Sequence, residues 1–169
     1  EVAGAVIRFL DDIYKPYSFQ PVLLESFEAG AGSIGCNPPG CEHEAETSAL
    51  RLKAAGPDDP AVLETGQLDL SGVEEVKIAF RYLPDGTRYG DRIALEIWNG
   101  TDWKSLLNLG QGEAFGEGDF YSGSTDYGYV RISSRDVAFS RETRLRLRAE
   151  PGLQGSILVK DIGVYTRTR

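Results

Sequence analysis

The sequence predicts an all-β protein, an antiparallel two-layer sandwich preceded by one short helix. Three observations point there. Apolar and polar residues alternate with period two in many short segments, turn signals separate those segments, and glycine accounts for 20 of the 169 residues. Each segment then has its own reason. Over 4–14, Val6, Ile7, Leu10, Ile13 and Tyr14 recur at three- and four-residue spacing, the period of an amphipathic helix, and Lys15-Pro16 ends it. Short strands are expected at 22–28, 49–53 and 61–65. In 75–83, Val76, Ile78, Phe80 and Tyr82 alternate with Glu75, Lys77, Ala79 and Arg81, which predicts a half-buried strand. The segment 92–98 repeats the pattern through Ile93, Leu95 and Ile97, and 143–149 opposes Leu145, Leu147 and Ala149 to Arg144, Arg146 and Arg148. Further strands are expected at 103–107, 127–133 and 156–165. Pro84-Asp85-Gly86, Asn99-Gly100 and Pro151-Gly152 supply turns, and a Gly-rich stretch over 110–123 reads as a long loop.

Composition narrows the functional classes. Eighteen Lys and Arg stand against 26 Asp and Glu, a formal net charge of −8. Such a chain repels phosphate backbones and anionic bilayers, which excludes nucleic acid and membrane surfaces as partners. No apolar run approaches the ~18 residues of a membrane span. Methionine is absent, so the expectation is a module processed or excised from a longer protein. The expected organisation is a helix or linker over 1–20, the sandwich over 21–166 and a tail over 167–169.

Catalytic chemistry finds little to work with. His43 is the one histidine, and no Gly-x-Ser-x-Gly elbow or His-Glu-x-x-His zinc helix occurs. His43 reads as a surface residue of a polar loop, and the chain is expected not to be an enzyme. Cys36 and Cys41 enclose Asn37-Pro38-Pro39-Gly40, short enough to bring the sulfurs together, so a small disulfide is the default. A zinc site with His43 is the competing reading, and it lacks a second ligand pair at ordinary spacing.

Aromatic residues are the binding candidates, because rings exposed on a sheet or loop can stack on the apolar faces of sugars. Trp98 lies opposite Ile93, Leu95 and Ile97 and is expected to be exposed. Trp103 opens the apolar run WKSLLNL and is expected in the core. Tyr121 and Tyr127 flank the Gly-rich loop. Arg146, in the Arg144-Arg146-Arg148 row, either meets acidic sugars or pairs with cross-strand carboxylates such as Glu96. Glu25, Glu28 and Asp161, on or beside the first and last strands, are candidate ligands for a hard cation.

Five stretches, in order, resemble a known group: LESFEAGAGSIG (24–35), SALRLKAAG (48–56), LDLSGVEEVKIAFRY (68–82), LEIWNGTDWKSL (95–106) and TRLRLRAEPGLQGSILVKDIGVY (143–165). They resemble the jelly-roll accessory domains of secreted hydrolases, MAM-like domains and carbohydrate-binding modules of the Phe-Glu-x-Gly type. The resemblance implies a jelly-roll sandwich and a non-catalytic, extracellular binding module within a larger secreted protein, with polysaccharide as the ligand. It also implies a structural Ca²⁺ tying the first strand to the last, through Glu28 and Asp161 with Glu25 assisting. Two departures stand out: the tryptophan that often follows Phe-Glu-x-Gly is replaced by Ile34-Gly35, and Lys160-Asp161 carries one carboxylate where the family has two. The alternative implied is a MAM-like interaction or stabilising domain docked on a neighbouring catalytic domain.

Overall fold

The computed structural model describes residues 19–112 and 118–168. Eleven strands follow one another: β1 (Gln20–Glu25), β2 (Ile34–Cys36), β3 (Cys41–Glu44), β4 (Ala49–Lys53), β5 (Ala61–Thr65), β6 (Val73–Asp85), β7 (Arg92–Trp98), β8 (Trp103–Gly110), β9 (Asp126–Ser133), β10 (Arg144–Ala149) and β11 (Ser156–Thr168). They form two antiparallel sheets. The first runs β3-β4-β11-β6-β9, with β1 also paired to β11; the second runs β2-β5-β10-β7-β8. The expected helix over 4–14 lies outside the described residues.

Alternation places the core between the sheets. Val76, Ile78, Phe80 and Tyr82 of β6 and Ile157, Val159, Ile162 and Val164 of β11 meet Leu63, Ile93, Leu95, Ile97, Leu145 and Leu147 of the second sheet, all buried. Their neighbours in sequence face outward, as a two-layer sandwich requires.

Several expectations need correction. Segments 34–36 and 41–44 are strands, so His43 lies on β3 and not in a loop. They are three- and four-residue edge strands, too short to show an alternating pattern. Strand β11 continues to Thr168, beyond the expected boundary at residue 166. The described flanks of the Gly-rich stretch are tied together: Gly112 N–H donates to Asp119 Oδ1 at 2.9 Å and Phe120 N–H to the Gly110 carbonyl at 3.1 Å. Phe120 is a core residue, edge-on to Tyr82 with ring centroids 6.0 Å apart.

Strand β6 is also buried on both faces at its middle, where a half-buried strand is expected. Lys77 is wholly buried, with its Nζ 3.7 Å from the centre of the Phe19 ring. Burial, with Arg131 and Arg167 nearby, pushes its pKa down to about 8. On the same face Asp161 is 1% exposed and lies 3.5 Å from Arg81 Nε. Burial pushes its carboxyl up to about 6, against the pull of Arg81.

The disulfide forms between Cys36 and Cys41, with Cα atoms 5.0 Å apart. It joins β2 of the second sheet to β3 of the first, stapling the sandwich at one edge. The His43 ring N–H donates to the carbonyl of Phe27 at 2.7 Å. Phe27 is buried and left-handed, at φ 59°, a conformation costing ~1–3 kcal/mol that surrounding structure must hold. His43 is thus a latch on the Phe-Glu-x-Gly turn, and with both sulfurs in a disulfide the zinc reading falls.

Two outcomes follow. Gly128 stands opposite Phe80, and a Cβ there would lie 2.1 Å from the Phe80 ring. Gly128→Ala is expected to destabilise the protein by ~1–3 kcal/mol in urea unfolding, through overpacking. Asp161 holds its proton to a higher pH folded than unfolded, so between about pH 4 and 6 the folded state binds the extra proton. Its contribution therefore falls as pH rises through that window, by up to ~3 kcal/mol. Asp161→Asn is expected to remove this slope from the stability–pH curve; an unchanged slope would contradict the assignment.

Candidate functional site

The hairpin β7–β8 brings the two tryptophans together. Its loop is Asn99-Gly100-Thr101-Asp102: Asn99 Oδ1 accepts from the N–H groups of Thr101 and Asp102, each at 2.9 Å, and Gly100 takes φ 100°. This turn sets Trp98 directly across from Trp103 on the outer face of the second sheet. Both rings are half-buried, with centroids 5.7 Å apart and planes tilted by 56°.

Strand β10 lies beside β7 and completes the surface. Arg146 is in register with Glu96 on one side and Glu64 on the other. Its guanidinium carbon sits 4.1 Å from the Trp103 ring centre, and its Nε donates to Glu96 Oε1 at 2.7 Å. Arg144 lies 5.4 Å from the Trp98 ring and 5.5 Å from that of Trp103, and donates to Glu64 at 2.8 Å. Arg148 pairs with Glu150 at 3.2 Å. Charged groups clamp the indoles in one geometry, and the ring–guanidinium contacts add ~0.5–1 kcal/mol each. Every arginine of the row has a carboxylate partner.

Beyond Glu64 the face descends into an open groove of about 870 Å³, lined by Gly35, Asn37, Pro39, Pro60, Val62 and Glu64 among others. The surface thus offers apolar rings at one end, fixed donors and acceptors in the middle and a groove at the other end. That combination suits a ligand with flat apolar faces and a rim of hydroxyls.

The sequence-derived candidates do not all meet here. Trp98 and Arg146 do. Tyr127 is exposed on β9 of the first sheet, and Tyr121 lies in the loop before it, its hydroxyl donating to Asp119 Oδ2 at 3.1 Å. Trp103, expected in the core, belongs to this site. The signal for it was present in WNGTDW: a tight turn pairs the residues flanking it, so both tryptophans must share a face.

Glu25, Glu28 and Asp161, the candidate cation ligands, are not gathered into one carboxylate cluster. Among the described residues, no group of three or more His, Cys, Asp or Glu side chains gathers where it could hold a metal. Glu25 Oε1 accepts from the N–H and hydroxyl of Ser33, and Asp161 faces the guanidinium of Arg81.

No family model and no curated protein matches the chain. Solved structures do. A xylan-binding module, CBM15, is 12% identical, with 89% of this chain and 97% of that one covered and a TM-score of 0.60. CBM27-1 of Caldicellulosiruptor saccharolyticus, solved with mannohexaose, is 18% identical over 85% of this chain and 96% of that one, with a TM-score of 0.55. The K3 cleaved adhesin domain of Lys-gingipain from Porphyromonas gingivalis is 16% identical over 86% and 98%, also at 0.55. These likenesses are of fold: the sandwich is that of carbohydrate-binding modules and of an adhesin domain.

A ligand that binds only the native state raises its stability by mass action. With Arg81 already facing Asp161, the melting temperature is expected to be the same in Ca²⁺ and in EGTA. A clear rise in Ca²⁺ that Asp161→Ala abolishes would contradict this.

Proposed function

We propose that this chain is a non-catalytic polysaccharide-binding module that holds sugar on the outer face of its second sheet. The observation that carries the reading is the side-by-side pair Trp98 and Trp103, half-exposed and framed by Arg144, Arg146, Glu64 and Glu96. Sugar rings stack on the indoles, and the Arg–Glu pairs present immobilised donors and acceptors to hydroxyls. Because Arg144, Arg146 and Arg148 are each matched by a carboxylate, the face favours an uncharged polysaccharide over a uronate polymer. The fold shared with a xylan-binding module and with a module solved with mannohexaose supports this reading, and so does the engagement of the lone histidine with a backbone carbonyl. The disulfide supports an oxidising, extracellular setting, within a larger secreted protein.

A second reading has its own observation. Val22, Leu24, Tyr127 and Tyr129 of the first sheet are exposed apolar or aromatic side chains, a surface that suits docking on a neighbouring protein domain. It is the MAM-like alternative, and the fold shared with an adhesin domain is compatible with it.

Affinity electrophoresis through gels containing xylan, mannan, galactan, β-glucan or pectate separates the two. Retardation by a neutral polysaccharide is expected, with Trp98→Ala and Trp103→Ala each weakening it about tenfold or more and Tyr127→Ala leaving it unchanged. No retardation in any gel, or retardation indifferent to both tryptophans, would overturn the proposal.

A further inference from the structure

Resting on the sugar-binding reading above, we infer that the loop closed by the Cys36–Cys41 disulfide is the end wall of the sugar track and sets how long a chain the face accepts. The register defines the track. Ser105, Glu96, Arg146, Glu64 and Gly35 stand in one row across the sheet, one residue from each of β8, β7, β10, β5 and β2. The row is polar until its last member, which has no side chain. A Cβ at Gly35 would stand 3.2 Å from the Glu64 carbonyl oxygen. Glu64 and Gly35 also line the groove, together with Val62 of β5 and Asn37 and Pro39 of the disulfide loop. Row and groove are therefore one continuous surface, running from the tryptophans to that loop.

Its length follows from sheet geometry. Four strand spacings of ~4.8 Å give a track of ~19 Å, which suits an extended chain of about four to five pyranose rings.

The disulfide is placed to fix the wall. Cys36 ends β2 in one sheet and Cys41 begins β3 in the other, so the four intervening residues are anchored to both layers. The cysteines are only 5 positions apart, and so short a closed loop puts the chain-entropy contribution at the low end of the disulfide range. What the bond adds to that is position: it holds Asn37 and Pro39 beside the groove before sugar arrives, which removes an ordering cost from binding.

The test is calorimetric titration of the intact chain with the xylose and mannose β-1,4-oligosaccharides, from disaccharide to hexasaccharide. Affinity is expected to rise about tenfold or more from the disaccharide to the tetra- or pentasaccharide and then to level off. Val62→Arg, a half-exposed position whose new side chain projects into the groove, is expected to lower pentasaccharide affinity about tenfold while leaving disaccharide affinity unchanged. The double variant Cys36→Ser, Cys41→Ser is expected to erode the same length dependence. Affinity that is flat beyond the disaccharide, or a Val62→Arg effect equal at every length, overturns the end wall. Trp98→Ala distinguishes the two levels: length-independent binding that still requires Trp98 sinks only this inference. If no oligosaccharide binds the intact chain, the sugar-binding reading falls and takes the end wall with it.

Discussion

The pairing of β11 with β6, which runs from Ser156 opposite Asp85 to Thr168 opposite Val73 with register shifts at Val159/Asp161 and Arg167/Thr168, is the constraint on which the molecule hangs. On its other edge the same strand takes β4 along its first residues and β1 along its last. The C-terminal strand thereby holds segments from the start, the first third and the middle of the chain in one layer. Its core-facing Ile157, Val159, Ile162 and Val164 form one wall of the interior. The second sheet closes on that wall through Leu145 and Leu147, and the outward Arg144, Arg146 and Arg148 are fixed by the same alternation. The candidate site is thus a by-product of core packing: burying one side of β10 obliges the other side to display its arginines.

Most of this architecture was legible in the residues. Period two in 75–83, 92–98 and 143–149 carries over directly, because those strands have one face on the core and repeat the pattern often enough to be read. Strands β2 and β3 were not legible. They are only three and four residues long, β2 pairs with β5 nearly thirty residues on, and β2 and β3 are joined by a covalent bond. The misplacement of Trp103 has a different origin. Counting apolar neighbours treats WKSLLNL as a buried run, whereas the register imposed by the Asn99–Asp102 turn puts Trp103 on Trp98's face. The double-sided burial of β6 was also hidden, because Lys77 and Arg81 look like solvent-facing residues until Phe19 and Asp161 are seen beside them. Tyr121 and Tyr127 show the limit of proximity along the chain: both lie near a glycine-rich loop, and neither reaches the tryptophan face.

Buried charge on the first sheet and paired charge on the second have different consequences. Asp161 is almost fully buried and Arg81 largely so, so their pairing is sensitive to protonation and exacting in geometry. The Arg–Glu pairs of the second sheet keep contact with water, contribute modestly to stability, and act mainly to orient groups. One face of the molecule uses ion pairs for architecture, and the other uses them to arrange a surface.

Trp98 and Trp103 are also the protein's two tryptophans. All of its indole emission therefore originates at the candidate binding face, with no background from the core. At a centroid separation of 5.7 Å and a tilt of 56°, their electronic transitions couple, and the pair gives a circular-dichroism couplet that tracks its own geometry. Any molecule arriving between or upon the rings changes both signals at once. The protein is its own optical probe, and occupancy of this one surface can be followed without a label.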